Sequence, residues 1–180
     1  MWERFRRKRQ NRAVVDGLWD EIVERARRPE RFEEGGLADT VLGRFESLGI
    51  ETFLFMRRCS RETELHGLSQ DVVDRFMTDL DHSMRELGVG YLAVPKRMRL
   101  LAGRFYERVR VFEAPLSARD APALAVEIPR LVHRDAPGGE PERAERLAEM
   151  MFADVNFYEL RSADDLLAGH LRTAPKETAL

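Results

Sequence analysis

The sequence predicts an all-α protein: a single compact helical domain of six or seven helices in an irregular bundle. Three observations carry this. Apolar residues recur at spacings of three and four along most of the chain. No segment alternates convincingly as a strand would; "AVEIP" comes nearest and is short. Hydrophobic residues make up 43% and charged residues 34%, which suits a soluble core with a crowded surface.

The first helix spans Asn11 to Arg28 on the stripe Val14, Val15, Leu18, Trp19, Ile22, Val23 and Ala26, and Pro29 ends it. After the loop "PERFEEGG", Asp39 is the expected N-cap of a second helix through Leu42, Phe45, Leu48, Phe53, Phe55 and Met56, with Gly49 a point of weakness. A third helix starts near Ser69, buries Val72, Val73, Phe76, Met77, Leu80, Met84 and Leu87, and turns Asp71, Asp74, Asp79, Asp81 and Glu86 outward. Gly88 stands where a left-handed cap is wanted. Pro95 opens a fourth helix, where a missing N–H costs nothing. A shorter fifth runs from Ala123 to His133, bent at Pro129. The loop "RDAPGGEPE" leads to a last helical region, Glu142 to Arg172, which breaks at Ser162 because "SADD" reads as a fresh N-cap. Residues 13–173 therefore form the domain, flanked by a basic segment, 1–12, and a tail, 174–180.

Net charge is −2, so the chain is no polycation and DNA is not an expected partner. A single cysteine, Cys59, excludes an internal disulfide and reads as a small core residue. No apolar run approaches the ~20 residues of a membrane span, and the N-terminus lacks an apolar signal core. The chain reads as cytoplasmic. Lysine occurs only at Lys8, Lys96 and Lys176 against abundant arginine, a bias that suggests a GC-rich bacterial genome.

No motif for catalysis is present: no phosphate-cradling glycine loop, no GxSxG, no HExxH. His82 and Glu86 lie one turn apart with Asp79 nearby, a spacing that arises readily by chance on a charged helix. The expectation is a protein that is not an enzyme, with no cofactor and no metal. Non-covalent haem binding, which needs one buried histidine, is left open.

Positive charge is instead concentrated locally. On a wheel of about 100° per residue, Val94, Met98, Leu101, Phe105, Val109 and Phe112 of the fourth helix share one buried arc. Arg97, Arg104 and Arg108 border it on one side, Lys96, Arg99 and Arg110 on the other, offset only by Glu107 and Glu113. These cations either pair with the acidic third helix or form a surface for an anionic partner. The N-terminal "WERFRRKRQNR" interleaves Trp2 and Phe5 with Arg6, Arg7, Lys8 and Arg9, a mixture suited to a lipid interface or RNA, and equally to a disordered tail.

The stretch "MRELGVGYLAVPKRMRLLAGRFYERVRVFEAPL" resembles the signature region of the ubiquinol–cytochrome c chaperone family. Leu80, Arg85, Leu87, Gly88, Val89, Gly90, Leu92, Val94, Lys96, Met98, Leu101, Phe105, Tyr106, Arg108 and Leu116 carry the match. Upstream, "LWDEIVERARRPERF" and "LADTVLGRFESL" are similar to that family's N-terminal motifs through Trp19, Ile22, Val23, Ala26, Arg27, Pro29, Phe32, Asp39, Thr40, Gly43, Arg44 and Phe45. The resemblance covers about Leu18 to Leu116 in the right order and is loose beyond. Tyr91 departs from a usual Asp, Glu107 from a common Gly and Phe112 from a common Tyr.

The resemblance implies an all-helical assembly factor for ubiquinol–cytochrome c reductase whose client is newly made cytochrome b. A bacterial member would work peripherally at the inner face of the cytoplasmic membrane, and mitochondrial members work beside a ribosome. Candidate partner contacts are then Asp39, Arg44, Arg85, Lys96, Arg97, Arg99, Arg104 and Arg108, with Trp2, Phe5, Arg6, Arg7, Lys8 and Arg9 as candidate membrane or RNA contacts. For Asp39 and Arg44 the competing reading is an N-cap and an internal ion pair. The alternatives to a chaperone are a membrane- or ribosome-associated adaptor and a small haem- or lipid-handling protein.

Overall fold

The structure, a computed structural model, describes residues 2–132 and 141–171, with side chains from Asn11 onward. Among the described residues all regular structure is helical: α1 (Trp2–Ala26), α2 (Glu30–Glu33), α3 (Val41–Cys59), a 3-10 turn (Thr63–Leu65), α4 (His66–Glu86), α5 (Val94–Ser117), α6 (Ala121–Leu131), α7 (Pro141–Glu159) and α8 (Ala163–Leu167). The all-α expectation holds. The helix beyond the expected six or seven is α2, one turn formed inside what reads as a loop, because four residues carry no periodic signal. "AVEIP" is part of α6. Helix α1 continues N-terminally through the basic segment as far as Trp2.

Helix α3 is the spine. It is buried on almost every side, and packs against α1, α4 and α7. Helix α5 lies against α4 and α6, and α6 against α7. Phe76 of α4 is the aromatic hub: its ring lies 6.1 Å from Trp19, 5.8 Å from Phe45 and 5.2 Å from Phe105, tying four helices together. Gly49 leaves α3 unbroken, and a Cβ there would come into ordinary contact with the Phe105 ring.

The ends of the helices follow capping chemistry. Gly88 takes φ +76°, its N–H donates to the Arg85 carbonyl, and the Val89 N–H donates to Met84. That pattern closes α4 in a left-handed turn that L side chains resist. Ser162 and Asp165 form a reciprocal capping box at α8, as "SADD" predicts. At α3 the expectation fails by one residue. The N-cap is Thr40, extended at φ −126° and ψ 168°, whose Oγ1 accepts from the Gly43 N–H at 3.2 Å. Asp39 instead reaches Arg44. Gly43 is required for a separate reason: a Cβ there would lie 1.9 Å from the Ala38 carbonyl oxygen.

Candidate functional site

Between α1, the start of α3 and the C-terminal half of α4 lies a cleft of about 630 Å3. Its floor is apolar because three amphipathic stripes converge there: Trp19, Val23 and Ala26 from α1, Phe45 and Leu48 from α3, Phe76 and Leu80 from α4. Trp19, Ala26, Phe45 and Phe76 are buried, while Val23, Leu48 and Leu80 are half-buried and face open space. Val41 and Leu87 stand at the lips, 60% and 58% exposed. Arg27, Arg44, Arg75, Asp79 and Glu86 make a polar rim. Apolar floor and charged rim are the anatomy of a surface that takes up an apolar partner.

The walls are held by polar contacts. The Trp19 indole N–H donates to Asp79 at 2.6 Å, and Arg75 Nε donates to the same carboxylate at 2.9 Å while its other end reaches Asp16. This clamps α1 to α4 at a fixed spacing. Asp79 is thus engaged by both Trp19 and Arg75. At the mouth, Arg44 Nε donates to Asp39 at 2.8 Å, both side chains exposed. That bond, and then the charge behind it, hold the Asp39 carboxyl below the usual range.

Behind the cleft is a cluster of charges that sequence reasoning missed. Arg25, Arg28 and Arg31 converge on Glu51 of α3 and Asp154 of α7. Arg28 grips both Asp154 oxygens, at 2.6 and 2.7 Å, and Arg31 reaches the same carboxylate at 2.5 Å. The Tyr158 hydroxyl donates to Glu51 at 2.7 Å. Arg31, Glu51 and Asp154 are buried. Burial, reinforced by the Asp154 charge, pushes the Glu51 carboxyl up, against the arginines. Burial acts on Asp154 too, but Arg31, Arg28 and Arg25 together outweigh it and hold that carboxyl down. Burial and Glu51 keep the Tyr158 phenol neutral. The cluster fastens α1, α2, α3 and α7 to one another. Its signals lay in carboxylates embedded in "GIETFLFM" and "MMFADVNFY", whereas the three arginines come from α1, the turn after it and α2, and only the fold brings them together.

The other candidate residues separate into groups. Arg85 pairs with Asp81 one turn back, at 2.6 Å, and its guanidinium lies 5.4 Å from the Tyr91 ring. Lys96, Arg97 and Arg99 are exposed on α5, outside the cleft. Arg104 is half-buried. Arg108 corrects the sequence reading: it is buried, donates to the Leu131 carbonyl at 2.6 Å and pairs with Glu46 of α3. Its guanidinium joins α5 to α3 and α6 and is shielded from any partner. One of the two readings of the α5 cations paired them with the acids of α4. Those acids have nearer partners: Asp71 accepts from Asn11, Asp74 from Gln70, Asp79 from Trp19 and Arg75, and Asp81 from Arg85. Trp2, Phe5, Arg6, Arg7, Lys8 and Arg9 lie on the helical backbone of α1, and their side chains are outside the described residues.

Cys59 is buried, and burial pushes its thiol up to about 12, so at neutral pH it is no nucleophile. No helix among the described residues is long and apolar enough to cross a membrane.

No curated protein matches the chain. The crystal structure of the Cbp3 homolog from Brucella abortus superposes with a TM-score of 0.80, at 37% sequence identity over 93% of each chain. The profile of the ubiquinol-cytochrome C chaperone family matches residues 33–174. That match runs well past Leu116, where the sequence alone showed only loose similarity, and takes in α6, α7 and α8. The chain belongs to the ubiquinol–cytochrome c chaperone family.

Proposed function

We propose that this protein is a non-catalytic assembly chaperone for ubiquinol–cytochrome c reductase and that it holds newly made cytochrome b before assembly. The observation that carries the reading is the apolar-floored cleft with Val41 and Leu87 at its lips, in a chain of the chaperone family. A spanning helix of 20 residues, about 30 Å long and 10 Å wide, occupies about 2,400 Å3. The cleft therefore grips one or two turns of such a helix and leaves the remainder to the membrane. The rim suits holding more than chemistry. Three of its polar groups are already engaged, Asp79 and Arg75 with each other and with Trp19 and Asp16, and Arg44 with Asp39. The site of action in this reading is the inner face of the cytoplasmic membrane, with the ribosome as the source of the client.

The test places a photo-crosslinking residue at Leu87 or Val41, with Val126 on α6, also exposed, as the control. Capture of cytochrome b from the cleft positions alone in native membranes supports the reading. Equal capture from Val126, or none from either lip, overturns it. Loss of the chaperone should also lower assembled ubiquinol–cytochrome c reductase and leave other respiratory complexes intact.

A further inference from the structure

Helix α5 turns an unusual surface to solvent. Lys96, Arg97, Arg99 and Arg110 are exposed and make no ion pair among the described residues. The two acids of the helix are engaged elsewhere: Glu107 lies 3.5 Å from Arg130 of α6, and Glu113 accepts from Arg57 of α3 at 3.2 Å. The positive charge on this face is therefore uncompensated. Apolar side chains stand among the cations. Leu92 is 91% exposed and Tyr91 77%, both in the turn before α5, and Leu100 is exposed between Lys96 and Arg97 on the helical wheel.

We infer that the α4–α5 turn and the outer face of α5 form a docking surface for an anionic phospholipid bilayer. The cations supply attraction to phosphate headgroups, and Leu92, Tyr91 and Leu100 enter the interfacial layer. The aliphatic residues decide between lipid and nucleic acid. Leu92 and Leu100 have no π-face on which a base stacks and no group that a phosphate accepts, so an RNA would leave them in water. A bilayer surface accommodates both kinds of side chain at once. The position of this face also fits the cleft. Leu87, at one lip, caps α4 immediately before the turn, and Arg85 on the same helix end packs over Tyr91. Leu92 follows that lip by five residues in the chain. The lipid assignment itself does not depend on the identity of the client.

The experiment is flotation of the full chain with phosphatidylcholine vesicles, with and without phosphatidylglycerol, across a range of salt. The wild-type chain should float only with the anionic vesicles and be released by salt. R99Q should weaken partition by about fivefold, and K96Q/R97Q/R99Q/R110Q should abolish it. All four positions are exposed, so the thermal melt of the quadruple variant should match wild type. Leu92→Ser should weaken binding and leave the salt dependence unchanged. Three outcomes overturn the inference: no flotation of wild type, undiminished flotation of the quadruple variant, or loss of flotation on deletion of residues 1–9 alone. Binding of ribosomal RNA, sensitive to the same four cations, with vesicles ignored would replace lipid by RNA.

Discussion

Replacing Asp154 by Asn removes one negative charge from the cluster behind the cleft while keeping its shape. Arg25, Arg28 and Arg31 then face a single carboxylate, Glu51, and Arg31 is almost wholly buried. Removing one partner of a buried ion pair costs about 3–5 kcal/mol, because the charge left behind stays desolvated. With an m-value of about 2 kcal/mol/M, the urea midpoint should fall by about 2 M. Repeating the titration at several pH values separates this from a packing defect. Asp154 titrates lower in the fold than in the unfolded chain, so its contribution is present above the unfolded carboxyl range and fades as pH falls through the lowered folded value. The cost of D154N should therefore shrink in acid. Glu51 is raised in the fold, so its contribution is complete below the unfolded value and is lost as pH rises through the folded one. Glu51→Gln, which resembles the protonated acid, should gain stability relative to wild type as pH rises. A D154N shift below about 0.5 M, or parallel pH profiles for the two variants, would refute the account of the cluster.

Further outcomes follow from single contacts. Gly43→Ala should cost about 1–3 kcal/mol, because the new methyl meets the Ala38 carbonyl at 1.9 Å and the α3 entry must shift; an unchanged melting temperature would contradict this. Arg108→Ala should lower the urea midpoint sharply by removing a buried cation paired with buried Glu46, while Arg99→Ala on the same helix should leave it where it is, and equal effects would show that α5 is misaligned. Leu87→Glu should leave the melt unchanged, since the side chain is largely in solvent, yet reduce assembled ubiquinol–cytochrome c reductase; full assembly would remove the lip from the proposed cleft.

Much of this protein was legible in the chain because it depends on neighbours in sequence. The stripe in α4 as far as Met84, the Gly88 turn, Pro95 in the first turn of α5 and the Ser162 capping box are set by residues within a few positions of one another, whereas Leu87, expected to be buried at the end of that stripe, is exposed. Such features need no knowledge of the partner helix. The family resemblance was legible for the same reason, as ordered residues at set spacings. The N-cap of α3 was misplaced by one residue because Asp39 and Thr40 are both good caps, and only the backbone conformation chooses between them.

By itself the sequence determined the long helices, most of their apolar faces and the family, since each is written in local periodicity and spacing. Tertiary structure alone decided which charges are structural and which are free. Arg108 and Arg97 share one flank of α5, yet packing against α3 and α6 buries the first against Glu46 and leaves the second in solvent. The cleft likewise exists only where α1, α3 and α4 meet. A charge's environment, and a cavity's walls, are set by residues distant in the chain, and a helical wheel carries no information about those.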